Sequence, residues 1–145
     1  MAEPVWQFRP RVLPVMATVM GVSLVAVFTV VAVRLPESSQ RTFTLFQQLT
    51  LLAFAGAVLW ILYRMATLRV AAYDDGLAVR NVFRSYRLPW DRVKVLRFAS
   101  GDPWLQLFDA ENNRLGILAV QAADGPRANR AATALASVAK AHGAG

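Results

Sequence analysis

The alternation of apolar and polar residues changes character at about Arg64. Before that point lie two apolar runs without a charged side chain: Leu13 to Val33 (LPVMATVMGVSLVAVFTVVAV) and Thr42 to Tyr63 (TFTLFQQLTLLAFAGAVLWILY). At about 1.5 Å per helical residue, each run is long enough for the ~30 Å hydrocarbon core of a bilayer. Hydrocarbon offers no partner to an open backbone amide, so the pattern predicts transmembrane helices over 13–33 and 42–63. Arg34 to Arg41 (RLPESSQR) is long enough only for a turn between antiparallel spans. Pro36 is expected to stop the first helix, and Ser38 or Ser39 to cap the second.

Beyond Arg64 the pattern becomes short alternating segments broken by turn residues. Strands are predicted at Leu68–Tyr73, Leu77–Phe83, Tyr86–Pro89, Val93–Phe98, Trp104–Phe108 and Arg114–Val120. Asp74-Asp75-Gly76, Gly101-Asp102-Pro103 and Glu111-Asn112-Asn113 supply turns. Asp124-Gly125-Pro126 then signals a helix start. Ala128, Ala131, Ala132, Leu135, Val138 and Ala139 recur at helical spacing on one face. The expected fold class is α+β: a two-helix hairpin, then six or seven antiparallel strands in a small barrel or bent sheet, closed by a C-terminal helix.

Composition agrees with this division. A hydrophobic fraction of 56% in 145 residues is excessive for a soluble domain but ordinary once two spans are subtracted. Cysteine is absent, which excludes disulfides, thiolate catalysis and Cys-based zinc sites. The net charge of +7 would suggest nucleic acid in a soluble protein. Here basic residues beside apolar spans account for it, and no recognition helix or basic tail supports nucleic-acid binding. Arg9 and Arg11 ahead of the first run imitate a signal peptide. The run is too long for one, and no small-residue cleavage site follows it.

Arg9, Arg11, Arg64 and Arg69 flank the side shared by both termini, against Arg34 and Arg41 in the turn. The positive-inside rule then places residues 1–12 and 68–145 in the cytoplasm of a multi-pass plasma-membrane protein, with 34–41 outside. Trp6, Trp60 and Tyr63 fall at the cytoplasmic headgroup level. Ala17 with Gly21, and Ala53 with Ala57, form small-xxx-small pairs; such residues are common in spans, and the sharper reading is that they close the hairpin or dock another subunit. Gln47 and Gln48 face the outer headgroups or a neighbouring helix.

Two pieces of the soluble half are distinctive: Asp75-Gly76-Leu77-Ala78-Val79-Arg80-Asn81, and Arg87-Leu88-Pro89-Trp90-Asp91-Arg92-Val93. With the Ala-rich final helix, they resemble the bacterial pleckstrin-homology-like (PH-like) family, in particular the actinobacterial type named after low-molecular-weight protein antigen 6. The resemblance covers Arg69 to about Ala139 and extends to the two membrane helices ahead of the domain. It implies a binding scaffold without catalysis, used for phosphoinositides, peptides or proteins. The lipid-binding version carries basic residues in its first hairpin turn, where this chain has the acidic Asp74-Asp75-Gly76.

Arg80, Arg84, Arg87, Arg92, Lys94 and Arg97 form a candidate basic face for lipid or a partner; equally, they are the solvated positions of a small sheet. Trp90 and Trp104 are candidate aromatics for packing or for a partner, and Trp90 matches the family's recurrent tryptophan. The acidic residues cluster at turns, and Asp109–Arg114 lacks the glycine and distal glutamate of a calcium loop. His142, the single histidine, sits where the chain is expected to fray, so neither a triad nor a His-based metal site is available. No catalytic residue, cofactor, metal or small-molecule substrate is indicated. The expected function is a non-enzymatic membrane-anchored interaction module. The alternatives are an accessory subunit docking through its hairpin and a sensor of anionic lipid. The partners are the bilayer and a protein, with a larger membrane complex as one form of the latter.

Overall fold

The computed structural model describes residues 3–34 and 44–144. Pro36, Ser38, Ser39 and Arg41 of the expected turn lie outside the described residues, as do Thr42 and Phe43. The chain forms two compact units: Leu13–Ala66, and Met1–Val12 together with Thr67–Gly145.

The first unit consists of α1 (Val12–Arg34) and α2 (Leu45–Ala66). Both are long and apolar enough to cross a membrane, by length and composition. Only 6% of the apolar window of either helix is buried, whereas the core helix of a soluble domain is mostly buried. The least exposed residues of α1 are Leu13, Pro14, Ala17, Gly21, Leu24 and Phe28, and from Pro14 onward they are spaced three and four apart along one seam. A Cβ on Gly21 would sit 3.7 Å from Leu59 and 3.8 Å from Leu62, so this glycine lets the α2 side chains approach the α1 backbone. The α2 side of the seam is Ala55, Leu59 and Leu62.

Several polar groups on these helices are satisfied locally. The hydroxyls of Thr18, Thr29 and Thr50 donate to the carbonyls four residues back, each at 2.8 Å. Thr44 caps α2: its hydroxyl accepts the Gln47 amide at 3.3 Å while the Gln47 side-chain oxygen accepts the Thr44 amide at 3.0 Å. This reciprocal capping box gives Gln47 a local role.

The second unit is β-rich. One antiparallel sheet runs in the order β1 (Trp6–Phe8), β2 (Arg69–Tyr73), β3 (Gly76–Arg80), β4 (Ser85–Pro89). A second contains β5 (Val93–Arg97), β6 (Trp104–Asp109) and β7 (Arg114–Gln121), followed by α3 (Pro126–Ala141). Of the two forms expected, barrel or bent sheet, the closed barrel is not formed: the strands divide into two sheets, as β4 hands over to β5 through the short Trp90–Arg92 turn. The core lies between them, with Val70, Ala72, Leu77 and Val79 against Leu105, Leu107, Ile117 and Ala119, all at most 1% exposed. Helix α3 closes it with Ala128, Leu135 and Ala139, the apolar face its spacing predicts.

β1 is the element that sequence patterning missed. Trp6 pairs with Ala72 and Phe8 with Val70, so the N-terminal segment covers the open edge of β2. The β-rich unit is therefore discontinuous in sequence: the chain leaves it after Val12 and returns at Thr67. As a result, Asp74-Asp75-Gly76 joins β2 to β3 and is the second connection, not the first. The first connection, β1 to β2, is where the two apolar helices are inserted. At Gly76 the β4 backbone approaches so closely that a Cβ would collide with the Leu88 carbonyl oxygen and lie 2.9 Å from Pro89 Cα. Only glycine fits there.

Candidate functional site

The six basic residues of the candidate face are divided between the sheets. Arg80, Arg84 and Arg87 belong to β3, β4 and their connection; Lys94 and Arg97 lie on β5, and Arg92 lies in the turn between the sheets. Three of them face carboxylates. Arg87 pairs with Asp75 at 3.1 Å and lies 5.4 Å from the Tyr73 ring centre. Arg92 meets Glu111 at 3.6 Å and Arg97 meets Asp102 at 3.8 Å. These exposed pairs contribute little to stability, but they lower the free positive charge of β4 and β5. Lys94 stands at a register shift in β5, a bulge that with its charge discourages strand addition at this edge.

Sheet register assembles a different basic group. Arg69 pairs across the sheet with Arg80, and Arg80 with Ser85. Arg84 precedes Ser85, and Arg9 follows Phe8, the partner of Val70. Arg9, Arg69, Arg80 and Arg84 thus gather at one end of the first sheet, the end where the chain departs for α1 and arrives from α2. The opposite end carries Asp74 and Asp75. Along the sequence Arg9 and Arg69 serve only as topology markers; strand pairing brings them beside Arg80 and Arg84.

The motif residues have structural work. Asn81, at the end of the Gly-Leu-x-Val-Arg-Asn piece, is buried. Its side-chain NH2 donates to the Gly116 carbonyl at 2.7 Å, and its side-chain oxygen accepts the Leu118 amide at 3.2 Å. It stands in for a neighbouring strand on the outer edge of β7 and ties the sheets together. Trp90 is buried, donates from Nε1 to the Tyr73 carbonyl at 2.9 Å, and stacks on His142 at 5.1 Å. His142 does not fray. It caps α3, its Nδ1 lying 2.9 Å from the Val138 carbonyl. Trp104 is partly exposed and lies over Gly116, where a Cβ would come within 2.6 Å of the indole nitrogen.

Of the helix-packing candidates, Ala17 is buried and Gly21 lies in the seam, while Ala53 and Ala57 are exposed on α2. On the α2 side it is Leu59 and Leu62 that stand nearest Gly21.

Asp124 has a role that the helix-start reading did not anticipate. Its side chain is 2% exposed, yet it does not cap α3, which Gly125 caps without a side-chain bond. Instead Oδ1 accepts the amides of Arg11 at 3.1 Å and Val12 at 3.2 Å, capping the first turn of α1. The Arg127 guanidinium lies 3.9 Å from the same oxygen and 5.3 Å from the Phe8 ring centre, so one arginine braces both the cap and β1. Asp124→Ala is expected to leave those two amides open at a cost of about 1–2 kcal/mol. Hydrogen exchange at Arg11 and Val12 should then speed by about five- to thirtyfold. Unchanged exchange would refute the capping role.

The acidic turn at 109–114 is likewise self-contained. Asp109 accepts the Asn113 side chain at 3.0 Å and the amides of Asn113 at 2.7 Å and Glu111 at 3.0 Å. The Asn113 side-chain bond, with the backbone bonds, holds its carboxyl below the usual aspartate value. The turn is thus tightest above that ordinary value and loosens as acid protonates the folded form.

The family model described as the bacterial PH domain matches residues 67–136. No curated protein and no solved structure matches the chain. The matched segment begins just after α2 and omits β1, which the N-terminal residues supply. Residues 67–136 are a bacterial PH domain, its sheet completed by a strand from the other side of an apolar helix pair.

Proposed function

We propose that the chain is a non-enzymatic, membrane-anchored interaction module whose helix pair fixes a PH domain at the inner face of the plasma membrane. The observation that carries this reading is the discontinuous β-rich unit. Strand β1 precedes α1, strand β2 follows α2, and the two strands pair. A pair of bilayer-crossing helices satisfies this, because it returns the chain to the side it left. Arg9, Arg11, Arg64 and Arg69 favour that side as cytoplasmic, with spans 13–33 and 42–63 and an outer turn at 34–41. The Arg64 guanidinium lies 6.0 Å from the Trp60 ring centre, a pairing suited to the headgroup layer. PH domains are scaffolds for protein or lipid interactions, and the motif residues Asn81 and Trp90 serve packing, which supports binding over catalysis. Confining such a module to the membrane raises its effective concentration for other membrane-bound species.

The exposed Ala53 and Ala57 favour an accessory subunit that docks through α2. Purification of the full chain from its native membrane in mild detergent is expected to bring a stoichiometric protein partner. Ala57→Leu should weaken that association while leaving the hairpin closed. Gly21→Leu, which crowds Leu59 and Leu62, should open the hairpin instead. A monodisperse, partner-free chain would refute the accessory-subunit reading.

A further inference from the structure

Trp6 and Phe8 lie on the same face of β1, their rings stacked with centres 6.3 Å apart and planes 7° from parallel. With Arg127, Arg130, Ala131 and Ala134 of α3 they line an open groove of about 290 Å³. Ala131 and Ala134 stand one helical turn apart, so this part of the helix wall carries no bulk beyond Cβ. Trp6 and Phe8 lie outside the segment 67–136 that matches the PH family, so the groove depends on the strand that this chain adds.

Two features point to what fits there. The first is backbone. β1 ends its sheet and pairs only with β2, so its other edge offers amides and carbonyls without a strand partner among the described residues. The second is charge. Arg130 is exposed and makes no ion pair among the described residues. Arg127 lies 5.3 Å from the Phe8 ring centre, and the Asp124 oxygen 3.9 Å from it is outside hydrogen-bond reach. That oxygen already accepts the amides of Arg11 and Val12. An aromatic floor, an open strand edge and two guanidinium groups with donors to spare therefore meet in one place.

We infer that the groove between β1 and α3 is a docking site for an extended acidic segment of a partner protein. The segment adds to the free edge of β1. An aliphatic side chain enters between the rings and the two alanines, and a carboxylate two positions away, on the same face, meets Arg127 and Arg130. A second copy of this chain is a poor occupant: residues 5–9, the strand it would offer, contain no acidic residue and end on Arg9. The inference deepens the interaction-module reading by naming the partner's chemistry, and it rests on that reading.

As a test, the full chain in mild detergent is panned against a phage library of random decapeptides, and the enriched peptides are measured by fluorescence anisotropy. Enriched sequences are expected to carry an aspartate or glutamate two positions from an aliphatic residue. Arg130→Glu, an exposed charge reversal, should weaken their binding by about tenfold or more with the melting temperature unchanged. Ala134→Trp, which fills the groove without altering charge, should abolish it. Arg114→Glu, beside β4 at the far edge of the first sheet, should leave binding within about twofold of the parent chain. Peptides that bind Arg130→Glu and Ala134→Trp as well as the parent dock elsewhere and overturn the site. Enrichment without acidic residues overturns the assigned chemistry. A dimeric parent that becomes monomeric with Ala134→Trp has a second copy on the groove, which also overturns it. No enrichment while a protein partner still co-purifies overturns the groove and leaves the module reading standing; neither peptide nor partner removes both.

Discussion

A soluble domain cut at the family boundary, residues 67–144, is expected to be markedly less stable than the same segment joined by a flexible linker to residues 3–11. Without β1, the edge of β2 loses its partner, and Val70 and Ala72, fully buried in the complete unit, lose their cover. The stacked rings of Trp6 and Phe8 and the contact of Phe8 with Arg127 go too. Burial of apolar side chains on this scale is worth about 3 kcal/mol or more. For a domain of this size that corresponds to a melting temperature lower by about 12 °C or more. The shorter fragment should also self-associate, because the edge of β2 that it uncovers is apolar. Thermal unfolding and light scattering on the two proteins check both expectations. Equal melting temperatures and two monodisperse species would show that β1 is dispensable.

Asn81→Ala is expected to lower the melting temperature of the joined domain by about 10–20 °C. The substitution removes two hydrogen bonds and leaves the Gly116 carbonyl and the Leu118 amide unsatisfied on the outer edge of β7. Stranding a fully buried backbone group costs about 1–3 kcal/mol; these two are only part-buried, so together they cost about 2–4 kcal/mol. Asn81→Asp should fare no better: it keeps the acceptor for Leu118 but turns a carboxylate oxygen toward the Gly116 carbonyl. The same loss should loosen the turn between β3 and β4, whose base Asn81 forms. A change within about 2 °C would show that the asparagine bridge does not hold the sheets together.

Much of the architecture was legible in the residues because it follows local periodicity. The apolar runs became α1 and α2 within a few residues of their expected ends, and the Ala128–Ala139 stripe became the buried face of α3. Six strands fell where alternation and turn chemistry put them. The second predicted strand ended early, at Arg80, because Asn81 turns out of the sheet to reach β7. β1 was not legible. Three residues, Trp6–Phe8, are too few to show a period, and their partner is more than sixty positions away. The cap from Asp124 to Arg11 and Val12 was hidden for the same reason: the residue stands at a helix start, and its carboxylate serves a different helix. The basic group was only half legible. Composition reveals arginines, but register decides which of them meet.

If the two apolar helices cross a membrane as proposed, their place inside the β-rich unit, between β1 and β2, has a consequence for biosynthesis. Ribosomes deliver β1 first, then both apolar helices, then β2 and its neighbours. If one helix entered the lipid and the other did not, β1 and β2 would end up on opposite faces of the membrane and the sheet could never close. Correct folding therefore reports correct insertion. A half-inserted chain would carry an open apolar edge, the kind of surface that quality-control proteases recognise.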